Sequence, residues 1–134
     1  MVVQQKMNFG PVDKSAQARK MRLQDWQMTF TENVAKLIIF ANSVGVRMTF
    51  GEAFRPQFVD DIYVEKKLSQ THHSNHTRRL AVDFNFFIKD NIVYDSPVLR
   101  QIGDFWTSRH LYNRWGGNYK TLIDRAHFEM NVPL

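Results

Sequence analysis

Thr71-His72-His73-Ser74-Asn75-His76-Thr77-Arg78-Arg79-Leu80-Ala81-Val82-Asp83-Phe84-Asn85 sets three histidines, a serine and an acid into a polar loop that runs straight into an apolar strand. Neutral imidazole nitrogen and carboxylate oxygen both bind a zinc-like ion at about 2.0–2.2 Å, and a catalytic zinc takes three protein ligands with a fourth position left to water. His76 and Asp83 stand seven positions apart, one in the loop and one in the strand, so they share no helix face. They suit a metal held at the edge of a sheet. Asp83 is also out of place as an ordinary strand residue. Leu80, Ala81, Val82, Phe84, Phe86 and Phe87 surround it, and a buried carboxylate costs several kcal/mol unless it is paired or metal-bound. His72 and His76 stand four apart, but the loop composition and the lack of a glutamate between them argue against a helical two-histidine site.

This stretch supplies two ligands, and a third has to come from elsewhere. Ile123-Asp124-Arg125-Ala126-His127-Phe128-Glu129 offers one in His127. Asp124, three residues earlier, would face the same pocket from a turn. A carboxylate there can take a proton from a metal-activated water and later hand it to a leaving amine. Arg55, after a strand and before Pro56, can set a guanidinium against a substrate carboxylate or a developing oxyanion. It can equally be the ion-pair partner of Glu52. Glu129 reads either as the support of a ligand histidine or as an exposed strand residue.

The 134 residues suffice for one domain with a sizeable core, at 43% hydrophobic and 13% aromatic residues. We expect a single catalytic domain over 1–134, with 1–14 an irregular N-terminal segment around Gly10-Pro11. There is no apolar run long enough to cross a membrane. The N-terminus lacks the apolar core of a secretory signal. The absence of cysteine excludes disulfides, thiolate metal sites and a cysteine nucleophile. With 18 Lys+Arg against 13 Asp+Glu, the net charge of +5 favours anionic partners. No nucleic-acid-binding motif accompanies that charge.

Hydrophobic spacing predicts helices over Ser15–Met28 and from Thr31, as N-cap, to Gly45, with Val34, Leu37, Ile38 and Ala41 inward. Val46–Phe50 alternates as a strand. Gln57–Leu68 forms a short helix. Leu80–Ile88 and Ile92–Tyr94 form a hairpin about Lys89-Asp90-Asn91. Ser96 caps a helix that starts at Pro97 and ends near His110, burying Val98, Ile102, Phe105 and Trp106. His110 then sits at the C-terminal end of the helix dipole. Trp115-Gly116-Gly117-Asn118-Tyr119 is a tight aromatic loop, and Phe128–Val132 closes the chain as a strand.

Ser74-Asn75-His76 with Ala81-Val82-Asp83 resembles the S-x-H-x-x-G-x-A-x-D signature of the zinc peptidases of the D-alanyl-D-alanine carboxypeptidase and L-alanyl-D-glutamate endopeptidase family. Asp124-Arg125-Ala126-His127-Phe128-Glu129 resembles that family's second signature, Phe54-Arg55 its aromatic–arginine pair, and Trp115-Gly116-Gly117 its W-G-G segment. Order and spacing agree over roughly 30–132. The resemblance implies an α+β fold, with a small antiparallel sheet holding zinc against helices, as in the hedgehog signalling domain. It makes His76, Asp83 and His127 the ligands of one zinc ion per chain. It makes Asp124 the general base and Arg55 the clamp, with Arg55, Ser74 and Trp115 as substrate contacts. The implied substrate is peptidoglycan, cut at the L-alanyl–D-glutamate bond, or at D-Ala-D-Ala in a carboxypeptidase. A zinc-stabilised domain without turnover is a further alternative. Small members without a signal are mostly phage endolysins. On that basis we expect a monomer made in the host cytoplasm and released to the wall through a holin-type pore. One position departs from the pattern, since Arg79 stands where the family has glycine.

Overall fold

The computed structural model describes residues 10, 21–69 and 73–133. The expected irregular N-terminal segment, most of the first half of the expected Ser15–Met28 helix and His72 therefore lie outside the described residues. Helix α1 is Leu23–Ser43, strand β1 Arg47–Phe50, helix α2 Gln57–Glu65, strand β2 Ala81–Ile88 and strand β3 Asn91–Val93. Helix α3 follows at Val98–Arg109, then strands β4, Asn113–Trp115, and β5, His127–Met130.

The two helices expected around residue 30 are one. Asp25 accepts a hydrogen bond from the Arg22 backbone N–H at the start, which satisfies one of the donors a helix N-terminus leaves open. Thr31 caps nothing; its hydroxyl donates to the Gln27 carbonyl one turn back, inside the helix. Helix α3 begins one residue later than expected, with Pro97 itself as the N-cap residue.

Every strand pair is antiparallel, in the order β1-β2-β5-β4, with β3 pairing the far half of β2. Lys89 and Asp90 take φ of 49° and 67°, the double left-handed turn that matches a two-residue hairpin to strand twist. Strand β4 was not anticipated, because only three residues pair before the chain turns at Gly116.

Strand side chains alternate between faces, and here the two faces do different work. Val82, Phe84 and Phe86 of β2, Phe128 and Met130 of β5, and Trp115 of β4 point inward and join Leu37 and Ala41 of α1 and Ile102 and Trp106 of α3 in one core. Opposite positions on the other face carry Asp83 across from His127, and Ala81 and Arg114 on either side of Glu129. The register of three short strands thus assembles a polar row on the open face while sealing an aromatic core beneath it.

Candidate metal centre

Ser74 starts the turn that carries His76. Its hydroxyl accepts from the His76 backbone N–H at 3.2 Å, and a single 3-10 turn follows over Asn75–Arg78. Arg79 ends that turn at φ 57°, ψ 37°. This is the left-handed conformation a glycine would take most cheaply, so the departure from the family pattern keeps the backbone path. The Arg79 guanidinium lies 4.0 Å from the centre of the Phe54 ring, an attraction that offsets part of the strain. The turn is also tied to Arg55, whose backbone N–H donates to the His76 carbonyl at 3.1 Å.

Three donors converge. His76 Nε2 lies 3.4 Å and His127 Nδ1 3.0 Å from the same oxygen, Asp83 Oδ1, and one ligand atom from each residue falls within 4.8 Å of the others. The far side of each ring fixes which nitrogen is free. His76 Nδ1 meets the Ala53 carbonyl at 2.7 Å. A carbonyl only accepts, so that nitrogen carries the hydrogen and Nε2 keeps its lone pair. His127 Nε2 meets Glu129 Oε1 at 2.7 Å, which frees Nδ1. Carboxylate and carbonyl partners of this kind orient histidine ligands and raise their basicity.

The electrostatics agree with a cation at this point. Burial disfavours charge on His127, yet hydrogen bonds to Asp83 and Glu129 prevail and push its pKa up to about 9. Burial likewise opposes ionised Asp83, but the two histidines hold its carboxyl well below the usual carboxylate range. The cluster therefore demands positive charge, as a proton on His127 or as a metal ion that displaces it. Two imidazole nitrogens and one carboxylate oxygen are a donor set zinc accepts, and they fit it.

Glu129 is the support rather than an exposed strand residue, being 6% exposed. Besides His127 it accepts from Asn75 Nδ2 at 2.9 Å, from Arg114 Nε and Nη2 at 3.0 and 2.6 Å, and from the Tyr119 hydroxyl at 3.2 Å. Asp124 stands at the mouth of the same cleft, which has a volume of about 410 Å³. Desolvation and then the charge of Asp83 raise its pKa above the ordinary carboxylate value, although the residue as a whole is solvent-exposed. Gly116 places it: the Asp124 backbone N–H donates to the Gly116 carbonyl at 3.0 Å, and a Cβ on Gly116 would run into the Asp124 carbonyl oxygen.

Arg55 lines the cleft and is 9% exposed. Its Nε and Nη2 donate to Glu52 and its Nη1 to Asp60 at 2.6 Å. Glu52 was visible as a partner from the sequence; the fully buried Asp60 was not. Ser74 and His73 line the cleft too. Trp115 turns to the core, 2% exposed, and its indole N–H donates to the Arg125 carbonyl. His110 is buried between Trp26 and Tyr112 rather than charged at a helix end, and burial lowers its pKa. Arg114 was missed. Only with β4 in place do Asn113 and Trp115 face inward and turn the charged residue between them outward.

Residues 67–130 match the family model described as D-alanyl-D-alanine carboxypeptidase. No curated protein matches the chain by sequence. Among solved structures, the L-Ala D-Glu endopeptidase ChiX of Serratia marcescens is similar at 22% identity and a TM-score of 0.61, over 84% of this chain and 89% of that one. The vancomycin-resistance D,D-pentapeptidase VanY from a VanB-type cassette, solved with Zn(II), is similar at 14% identity and a TM-score of 0.51, over 75% of this chain and 70% of that one. Both likenesses are likenesses of fold. The family match, in contrast, covers a little under half of the chain and spans His76, Asp83, Asp124 and His127, the side chains that the fold gathers at one cleft.

Proposed function

We propose that the protein is a metal-dependent hydrolase of peptidoglycan stem peptides that cuts the L-alanyl–D-glutamate bond. The observation that carries the reading is the convergence of His76, Asp83 and His127, with ring tautomers fixed from behind, beside a carboxylate of raised pKa at the cleft mouth. One zinc ion per chain, held by those three residues, supplies Lewis acidity to the scissile carbonyl and to a water. Asp124 takes the proton of the attacking water and returns it to the amine as the carbon–nitrogen bond breaks. Water thus adds across the amide, giving a carboxylic acid and an amine. Arg55, held rigid by Glu52 and Asp60, offers its remaining N–H groups to the oxyanion.

The likeness to an endopeptidase over most of both chains supports the L-alanyl–D-glutamate bond over the terminal D-Ala-D-Ala bond. The net charge of +5 supports action on an anionic wall polymer, and with it the role of a phage-type lysis enzyme that acts on the host wall after release from the cytoplasm. Mass spectrometry of purified peptidoglycan after incubation tests the reaction. New peptides with an N-terminal D-Glu, lost on chelation and restored by zinc, are the expected products. Release of free D-alanine instead would assign a carboxypeptidase, and zinc binding without any product would leave a metal-stabilised binding domain.

A further inference from the structure

Among the described residues the cleft holds two guanidinium groups, and they are not equivalent. Arg55 is held on every nitrogen, since Nε, Nη1 and Nη2 all donate to Glu52 or Asp60, which leaves single N–H groups and no free edge. Arg114 gives only one edge to protein: Nε and Nη2 both reach the same oxygen, Glu129 Oε2. Its other edge, at Nη1, has no partner among the described residues, and its side chain is 52% exposed. Register places it on the open face, directly across from Glu129. The other oxygen of that carboxylate holds the His127 ring, so one carboxylate separates Arg114 from a metal-ligating side chain.

The rest of the cleft is rich in carboxylates. Asp83, Asp124 and Glu129 all line it. A substrate bearing a carboxylate next to the scissile amide needs a cation to offset them, and a fixed guanidinium edge matches a carboxylate bidentately. The proposed substrate has such a group. When D-glutamate is linked onward through its side-chain carboxyl, its α-carboxylate stays free, one carbon from the amine that leaves. We propose that Arg114 is the specificity-determining residue of this cleft, reading the free α-carboxylate of the residue that carries the leaving amine, with Glu129 clamping its inner edge. The inference rests on the proposed reaction.

Two synthetic stem peptides test it, one with D-glutamate and one with its α-carboxylate amidated as D-isoglutamine. Zinc-loaded wild type should favour the acid over the amide by about 10–100-fold in kcat/KM, the worth of one charge-assisted pair. Most of that ratio should come from KM. In R114Q the ratio should fall to near one. If R114Q fails to fold, R114K decides: its single ammonium is committed to Glu129, so the ratio should fall several-fold there too. A wild type that cuts both peptides equally, or variants that keep the wild-type ratio, would overturn the inference. A wild type that cuts neither overturns the proposed reaction instead. Calorimetric binding of the uncut pair then decides the inference on the same ratios.

Discussion

Glu129→Gln is the sharpest test of how the centre is held. The native carboxylate uses one oxygen for Arg114 and Asn75 and the other for His127 and Tyr119. Glutamine keeps one oxygen and replaces the other with a donor. Arg114 is the strongest claimant, so the oxygen goes there and the amide NH2 faces His127 Nε2. That nitrogen must then accept, which moves the ring proton to Nδ1, the atom that meets Asp83, and removes the lone pair a metal needs. Zinc affinity should fall about 10–100-fold. Stability should fall as well. Burial works against ionised Glu129, but His127 and Arg114 lower its pKa from 4.5 to about 2, worth roughly 3 kcal/mol at neutral pH. A depressed carboxylate pKa contributes stability above its unfolded value and loses it as pH falls through the folded one. The chelated wild type should therefore lose this contribution between about pH 4.5 and 2, and the variant should lack that transition. Competition with a fluorescent zinc chelator at neutral pH, alongside thermal unfolding in excess chelator, reads both quantities. If zinc affinity in E129Q stays within about twofold of wild type while the melting temperature drops, the tautomer argument is refuted.

D124A should lower kcat by about 10²–10⁴-fold, the usual worth of a general base, with zinc content unchanged by atomic absorption; full rate in the variant would remove Asp124 from the mechanism. His110 is buried neutral, so the unfolded chain binds protons more readily, and stability should decline as pH falls below the ordinary histidine value of 6.5. Urea unfolding of H110Q should show a shallower decline than wild type, and equal slopes would count against that account. R79G relieves a left-handed residue worth about 1 kcal/mol and forfeits a stacking contact of about 0.5–1 kcal/mol. Its stability should match wild type within about 1 kcal/mol, and a much larger loss would show that Arg79 does more than end the turn.

What could be read in the sequence follows from how local each signal is. The hairpin, the helix stripe through Leu37 and Ala41, and the strand interrupted by Asp83 are all period signals within one element, and each appears where expected. The break assumed at Thr31 was wrong because a threonine hydroxyl serves the previous turn of a helix as readily as it caps a new one. Strand β4 escaped because three paired residues carry too little alternation to register. The clustering of His76 and His127 was legible by spacing and resemblance; the carbonyl of Ala53 behind His76 was not, since a backbone acceptor has no sequence signature. Asp60 was hidden for a related reason. Its partner Arg55 lies five residues back across a helix start, and in sequence Asp60 reads as one more solvated acid beside Asp61.

The ladder that sets Asp83 across from His127 also sets a timetable. A nascent chain that has emerged only through β4 carries two of the three donors and none of the carboxylate that orients the last. A metal ion held by all three donors would have to wait for β5 to zip against β2. Metal occupancy would then report a finished sheet, and a copy lacking β5 or paired out of register would stay metal-poor.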